Sequence, residues 1–280
     1  MVFSYSTNAF VKYPLAEALT LIARTGFRGA EIMCDRPHLY PPDMSLQDLE
    51  KFKALVDTLE LKITNLNCFT LFAVGNTWLP SWIEKDESRR RERIDHTLNC
   101  LDLAHFLGCP CISVPPGGPP VEADPKRSLA LFREGLERVI PKAEALGITI
   151  LIEPEPGLLI ENSRQMSSFI NDMTSPNLGV NFDVGHFFCV GEAPEEALET
   201  LFDKIGHIHI EDIASTREHH HLIPGLGAID YDAFFRRLKA FEYKKDICLE
   251  LYPYTETPCE AGLKSIEHLK PVMEKYGFPV

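Results

Sequence analysis

Apolar and polar positions along this 280-residue chain fall into two alternating rhythms. Short apolar, β-branched runs recur at Phe3–Ser6, Gly29–Cys34, Lys62–Cys68, Cys111–Pro115, Ile148–Glu153, Leu178–Asp183, Ile205–Ile210 and Asp246–Leu251. Between them lie longer stretches in which apolar residues return every three or four positions, the period of a helix that buries one face. In the first of these, Leu15, Leu19 and Ile22 share a face and Gly26 ends the run. A second places Leu46, Leu49, Phe52, Leu55 and Leu59 on one face, with Ser45 and Asp48 as a capping-box signal at its start. Another opens on Asp124 as N-cap and Pro125 as first helical residue, and stops at Gly147. Pro141 inside it predicts a kink or a split, because proline cannot donate the helical hydrogen bond.

Strand-like runs that alternate with helix-like ones predict an α/β fold, a single (β/α)8 TIM barrel forming one domain over residues 1–280. The runs are apolar on both faces, as a parallel sheet covered by helices requires. A doubly wound open sheet would normally bring a Gly-rich phosphate turn after the first strand, and SYSTNAFVKYP has none. The segment Pro115–Pro120 reads as a stiff loop after the fourth strand rather than a linker.

Composition narrows the picture further. A chain of this length buries most of its apolar surface without staples. The eight cysteines are scattered and form no CxxC pair, so they read as reduced, mostly buried thiols. Cys109-Pro110-Cys111 is too irregular to count as a metal or redox pair. A formal charge of −13 repels nucleic-acid phosphates and attracts cations. The N-terminus lacks the basic region and apolar core of a signal peptide, and no apolar run is long enough to span a bilayer. The expectation is a cytoplasmic protein whose partner is a small molecule, not nucleic acid or a membrane.

In a barrel of this kind the C-terminal strand ends build the active site. The fifth run ends on Glu153, with Glu155 just beyond. The sixth ends on Asp183, three residues before His186. The seventh puts His207, His209 and Glu211 on one face, and Asp212 starts the loop. The eighth reaches Glu250. Asp183 follows Glu153 by 30 residues, His209 follows Asp183 by 26 and Glu250 follows His209 by 41, about one βα unit each time. One acid at a strand end is usually solvated or salt-bridged; one coordinating residue on each of four consecutive strand ends is not expected by chance. Burying three carboxylates together is costly unless a cation neutralises them. Glu153, Asp183, His209 and Glu250 are therefore the candidate ligands of one divalent metal ion. A mainly oxygen set with open positions suits Mn²⁺, Mg²⁺ or Co²⁺ better than a closed zinc site, with Zn²⁺ also allowed. His209 is preferred to His207 because it lies nearer the mouth. His186 is a candidate substrate contact. The first four strand ends offer Asn8, Glu31, Cys68 and Thr70, which lining and barrel filling explain equally well.

The motifs ILIEP, NFDVGH, HIHIED followed by PGLGAID, and CLELYPY resemble the xylose-isomerase-like barrel superfamily, and within it the sugar phosphate isomerase/epimerase group. The resemblance is dense from the fifth strand onward. It implies the Glu153, Asp183, His209 and Glu250 metal set, with Glu153 and Glu250 as the proton-moving catalytic pair. His186 and Arg217 would hold substrate oxygens. The implied activity is isomerisation or epimerisation of a keto sugar, sugar phosphate or keto acid through a stabilised enediolate, by an enzyme that forms a homo-oligomer. The chain departs from the epimerases at Leu159, where they carry a further Glu; the nearest acid is Glu161. In the loop His219-His220-His221, His221 is the member expected to reach the site, and Pro224, Gly225 and Gly227 let that loop turn before Asp230 caps the next helix.

Three other functions share this pattern. A dehydratase of a cyclic keto polyol would use the same ligands and expel a hydroxyl. An endonuclease IV-like hydrolase would need further His residues at the third and fourth strand ends, which read NCFTLF and SVPPGG. A non-catalytic sugar-binding barrel would keep the ligands and lack the proton transfer.

Overall fold

The computed structural model describes residues 1–120 and 124–280. Eight parallel strands close into a barrel in sequence order: β1 (Phe3–Ser6), β2 (Gly29–Met33), β3 (Lys62–Asn67), β4 (Cys111–Val114), β5 (Thr149–Ile152), β6 (Leu178–Asp183), β7 (Ile205–Ile210) and β8 (Ile247–Leu249), with β8 pairing back onto β1. Each strand lies within two residues of its sequence-based span. Nearly every strand residue is buried, which is why the strand sequences read as continuous apolar runs rather than alternating ones.

The helices are α1 (Leu15–Thr25), α2 (Leu46–Thr58), α3 (Glu87–Leu107), α4 (Pro125–Leu146), α5 (Ser163–Asn171), α6 (Val184–Cys189), α7 (Pro194–Leu201), α8 (Tyr231–Ala240) and α9 (Pro258–Lys275). Their ends follow local chemistry. The Ser45 hydroxyl accepts the Asp48 N–H at the start of α2, and Asp124 accepts the N–H groups of Lys126 and Arg127 at the start of α4. Asp230 accepts the Ala233 N–H and opens α8.

Two expectations fail here. Helix α4 runs unbroken through Pro141 instead of splitting there. Pro141 and Glu137, whose carbonyl loses its partner, both face solvent, where water can take the place of the missing donor. On α2, Leu46 is 63% exposed, and Phe52 and Val56 carry the fully buried face.

Two register shifts interrupt the barrel, between Ala30 and Glu31 where β2 meets β3, and between Val180 and Asn181 where β6 meets β7. Such irregularities re-aim side chains. Glu31 and Asn181 both turn into the barrel interior and bond the same histidine.

Candidate metal centre and active site

Strand β7 supplies the middle of the site. His207 and His209 alternate inward with Glu211, as period-two geometry demands, and all three are buried. The His209 ring lies between two sets of acids. Its Nε2 stands 2.6 Å from Glu31 Oε2, and its Nδ1 lies 3.0 Å from Glu153 Oε1, 3.5 Å from Glu250 Oε2 and 3.7 Å from Asp183 Oδ2. Ligating atoms of Glu153, Asp183, His209 and Glu250 all fall within 4.8 Å of one another. The four side chains picked from four strand ends therefore meet.

Electrostatics show what this cluster lacks. Burial by itself would disfavour a His209 imidazolium, yet Glu31, Glu250 and Glu153 outweigh it and push the ring well above its ordinary range. Glu153 is raised to about 7, first by burial and further by Glu250 and Asp183, against the pull of His209. Glu153 Oε2 and Asp183 Oδ2 are buried without a hydrogen-bond partner. Three carboxylates converging on one imidazole nitrogen, two of them with an orphaned oxygen, fit a divalent cation. The Nε2–H of His209 would then donate to Glu31, the carboxylate–histidine support common behind metal-binding imidazoles.

Glu31 is itself held by donors from β3. Asn65 Nδ2 reaches Glu31 Oε2 at 2.9 Å, and Asn67 Nδ2 reaches Oε1 at 3.1 Å. Asn67 also lies 3.3 Å from Glu250 Oε1, which accepts from Asn8 Nδ2 at 2.8 Å. His207 is pushed down to about 4 by burial, so it is neutral; its Nδ1–H donates to Asn181 Oδ1 at 3.1 Å. It is the supporting neighbour in the strand.

Above the cluster opens a cavity of about 440 Å³ whose wall includes Asn8, Asn67, Glu153, Glu155, His186, His219, His221 and Glu250, with Met33, Phe69, Phe72, Trp78 and Tyr252 on its apolar side. His186 Nδ1–H donates to the Pro154 carbonyl at 2.8 Å, and its Nε2 faces Glu155 Oε2 at 3.2 Å. Burial pushes His186 down to about 3 and Glu155 well above its ordinary range. The proton between them therefore sits on Glu155 and is donated to Nε2. His221 Nδ1–H donates to the Glu250 carbonyl at 2.9 Å, and its Nε2 has no partner. His219 joins His221 on the wall, and His220 stays outside.

The loop after β7 explains this choice among the imidazoles. Asp212 pairs with Leu222 in an antiparallel bridge, and its carboxylate accepts the N–H groups of Gly225, Gly227 and Ile229 at 2.8 to 3.1 Å. Gly225 adopts φ +94°, which favours glycine. The hairpin so formed turns His219 and His221 inward and Arg217 outward. Arg217 is exposed, stacks 4.3 Å from the Phe188 ring and donates to the Phe188 carbonyl. It does not line the cavity, contrary to expectation.

Glu161 is also outside the wall. Its carboxylate accepts the Gly157 N–H at 2.9 Å, and its own N–H bonds Gln165 at the start of α5. Cys68 is buried away from the cavity, whereas Asn8 and Thr70 line it. Glu155, His219, Glu211 and Asp35 were not expected to act here. Glu211 Oε1 takes the Gly185 N–H at 2.5 Å, where a Cβ on Gly185 would collide with that oxygen. Asp35 holds the loop after β3 by accepting from Thr70, Phe72 and Ala73. For Glu155 the signal was an acid beside a strand end, for His219 its place in the histidine run, and for Glu211 its shared face with His207 and His209; for Asp35 none existed without its partners.

The barrel and the strand-end cluster define a class, and the chain belongs to the xylose isomerase-like TIM barrel family, whose model matches residues 19–272. Among its relatives is the hydroxypyruvate isomerase of Escherichia coli (strain K12), 27% identical over 91% of this chain and 93% of that protein. The fructoselysine 3-epimerase of Escherichia coli O157:H7 is 24% identical over 94% of each. A solved structure of the IOLI protein with a bound zinc atom superposes with a TM-score of 0.82 at 22% identity, covering 99% of both chains. No helix among the described residues is long and apolar enough to cross a membrane.

Proposed function

We propose that this protein is a divalent-metal-dependent isomerase or epimerase that moves a proton next to the carbonyl of an uncharged keto sugar. The observation that carries this reading is the convergence of three carboxylates and one imidazole within 4.8 Å, from four successive strand ends, beneath a polyol-sized cavity. Glu153, Asp183, His209 and Glu250 would hold the cation. When bound, it supplies Lewis-acid stabilisation of the negative charge that develops on the substrate carbonyl as the neighbouring proton leaves.

The chain's own groups do the rest. Glu153 and Glu250 face the cavity, and each can take or return a proton at carbon. Asn8 and Asn67 fix the Glu250 carboxylate, so it accepts a proton without swinging away. Return of the proton to the opposite face gives the epimer; return to the neighbouring carbon gives the isomer. His186 and Glu155 line the wall as polar contacts for substrate hydroxyls. No Lys or Arg lines the cavity among the described residues, which supports a substrate without phosphate. The relatives' names supply both an isomerase and an epimerase, and the zinc in the IOLI structure supports a divalent ion.

The test is a panel of keto sugars, their phosphates and hydroxypyruvate, incubated with metal-replete protein in D₂O and read by NMR. Deuterium should enter a carbon next to the carbonyl of an unphosphorylated sugar. No exchange across the panel with metal bound would leave a sugar-binding barrel. A second reading rests on protonated Glu155 beside the cavity, since such a group can protonate a departing hydroxyl. A new enone absorbance with a cyclic keto polyol would establish that dehydration.

A further inference from the structure

Away from the cavity, the fold gathers a second set of metal-ligating atoms. Cys34 follows β2, Cys68 follows β3 and Cys100 lies on α3. All three are fully buried, all are free thiols, and their sulfurs lie within 4.8 Å of one another. His96 sits one helical turn before Cys100 and is also buried. Its Nε2 is 3.6 Å from the Cys100 sulfur, and it stands beside that cysteine outside the set of three mutually close sulfurs.

A buried charge lies beside this cluster without an ion pair. Arg93 lies one turn before His96 on the same face of α3 and has no exposed surface. Its Nε donates to the Pro80 carbonyl at 2.8 Å, and its Nη1 to the carbonyls of Cys68 at 3.1 Å and Phe69 at 3.0 Å. Its Nη2 has no partner, and among the described residues no carboxylate lies within ion-pair distance. An unpaired guanidinium in a core is costly. With neutral thiols packing as small apolar groups, the buried Asp35 carboxylate, beyond ion-pair distance, is the nearest acid that offsets that charge. Three thiolates and a neutral imidazole around a divalent cation carry one net negative charge, which matches Arg93.

We infer that Cys34, Cys68 and Cys100 form a three-thiolate structural site for a zinc-class cation, separate from the carboxylate-rich centre, with His96 beside Cys100 as the nearest fourth donor. In tetrahedral zinc sites, bonds of about 2.3 Å to sulfur and about 2.0 Å to nitrogen place those ligand atoms about 3.5 Å apart, close to the His96–Cys100 spacing. Loading displaces three thiol protons and involves no redox change. The site ties the ends of β2 and β3 to α3. Those ends carry Met33 and Phe69, which form part of the cavity's apolar side.

The experiment uses the full chain purified under reducing conditions and loaded with Co²⁺. Only thiolate ligation gives an intense near-ultraviolet sulfur-to-cobalt charge-transfer band, so the catalytic ligands do not contribute to it. The band is expected in the wild-type protein, in Asp183→Asn and in Cys248→Ser, and should lose about a third or more of its intensity in Cys100→Ser. Absence of the band in loaded wild-type protein, or its full intensity in Cys100→Ser, overturns the inference. If Cys100→Ser does not fold, the wild-type zinc protein is dialysed against chelator, unfolded and titrated with a mercurial. Release of one zinc as the thiolates are modified supports the site, and thiols that titrate with no zinc released refute it.

Discussion

The two halves of this barrel do different work at the same mouth. Strands β5 to β8 end in Glu153, Asp183, His209 and Glu250, the groups that can hold a cation and move protons. Strands β1 to β3 contribute Asn8, Glu31, Asn65 and Asn67, which aim those groups, together with the loops that form most of the apolar wall. Each half also has one aspartate just past a strand that organises a loop through backbone N–H groups: Asp35 after β2 and Asp212 after β7. Chemistry and aim are thus separated along the chain but joined at His209, whose two nitrogens face the two halves.

That division sets the order of effects that mutations should have. Asp183→Asn and His209→Gln should weaken metal binding most, by more than about 100-fold, as loss of a ligand exceeds loss of its support. Calorimetric titration with Mn²⁺ or Zn²⁺ checks this, and unchanged affinity would remove either residue from the centre. Glu31→Gln, in the supporting half, should cost about 10–100-fold in affinity while leaving the four ligands in place. An effect as large as that of Asp183→Asn would make Glu31 a ligand and erase the distinction between the halves.

Titration sharpens the same contrast. Glu153 is raised from 4.5 to about 7 by burial. A raised carboxyl favours the fold below its unfolded value, and that contribution is lost as pH rises through about 7. In chelator, the melting temperature should fall by a few degrees between about pH 5 and pH 8, and saturating metal should remove the fall. Metal affinity should rise over the same interval, because the cation displaces the Glu153 proton. A pH-independent affinity would contradict the raised value. The smallest effect is expected for Arg217→Ala. Stacked on Phe188 and exposed, it should change kcat/KM by less than about twofold. A large rise in KM would bring its guanidinium to the substrate.

The second half was legible in the sequence because each candidate ligand is a carboxylate or imidazole at or beside the end of an apolar strand, a strong contrast at a fixed place. The first half was not. Glu31 stands mid-strand, and its role depends on His209, 178 residues away. Asn65 and Asn67 are neutral amides that a buried strand can hold for many reasons. Arg217 was misplaced because the loop's path is set by the Asp212 carboxylate and three backbone N–H groups, not by the run of polar residues itself. For the same reason His221 could be picked from the His219–His221 triplet, while His219 was missed as a second inward member.

The assignment of Glu153 and Glu250 as the proton-moving pair is tested most directly by carbon-bound deuterium wash-in from D₂O, measured by NMR on wild-type, Glu153→Gln and Glu250→Gln proteins at matched metal content. Exchange should occur in the wild type and fall by about 10²–10⁴-fold in both variants, the usual contribution of a positioned base. Near-normal exchange in either variant with full metal would contradict the assignment of that residue.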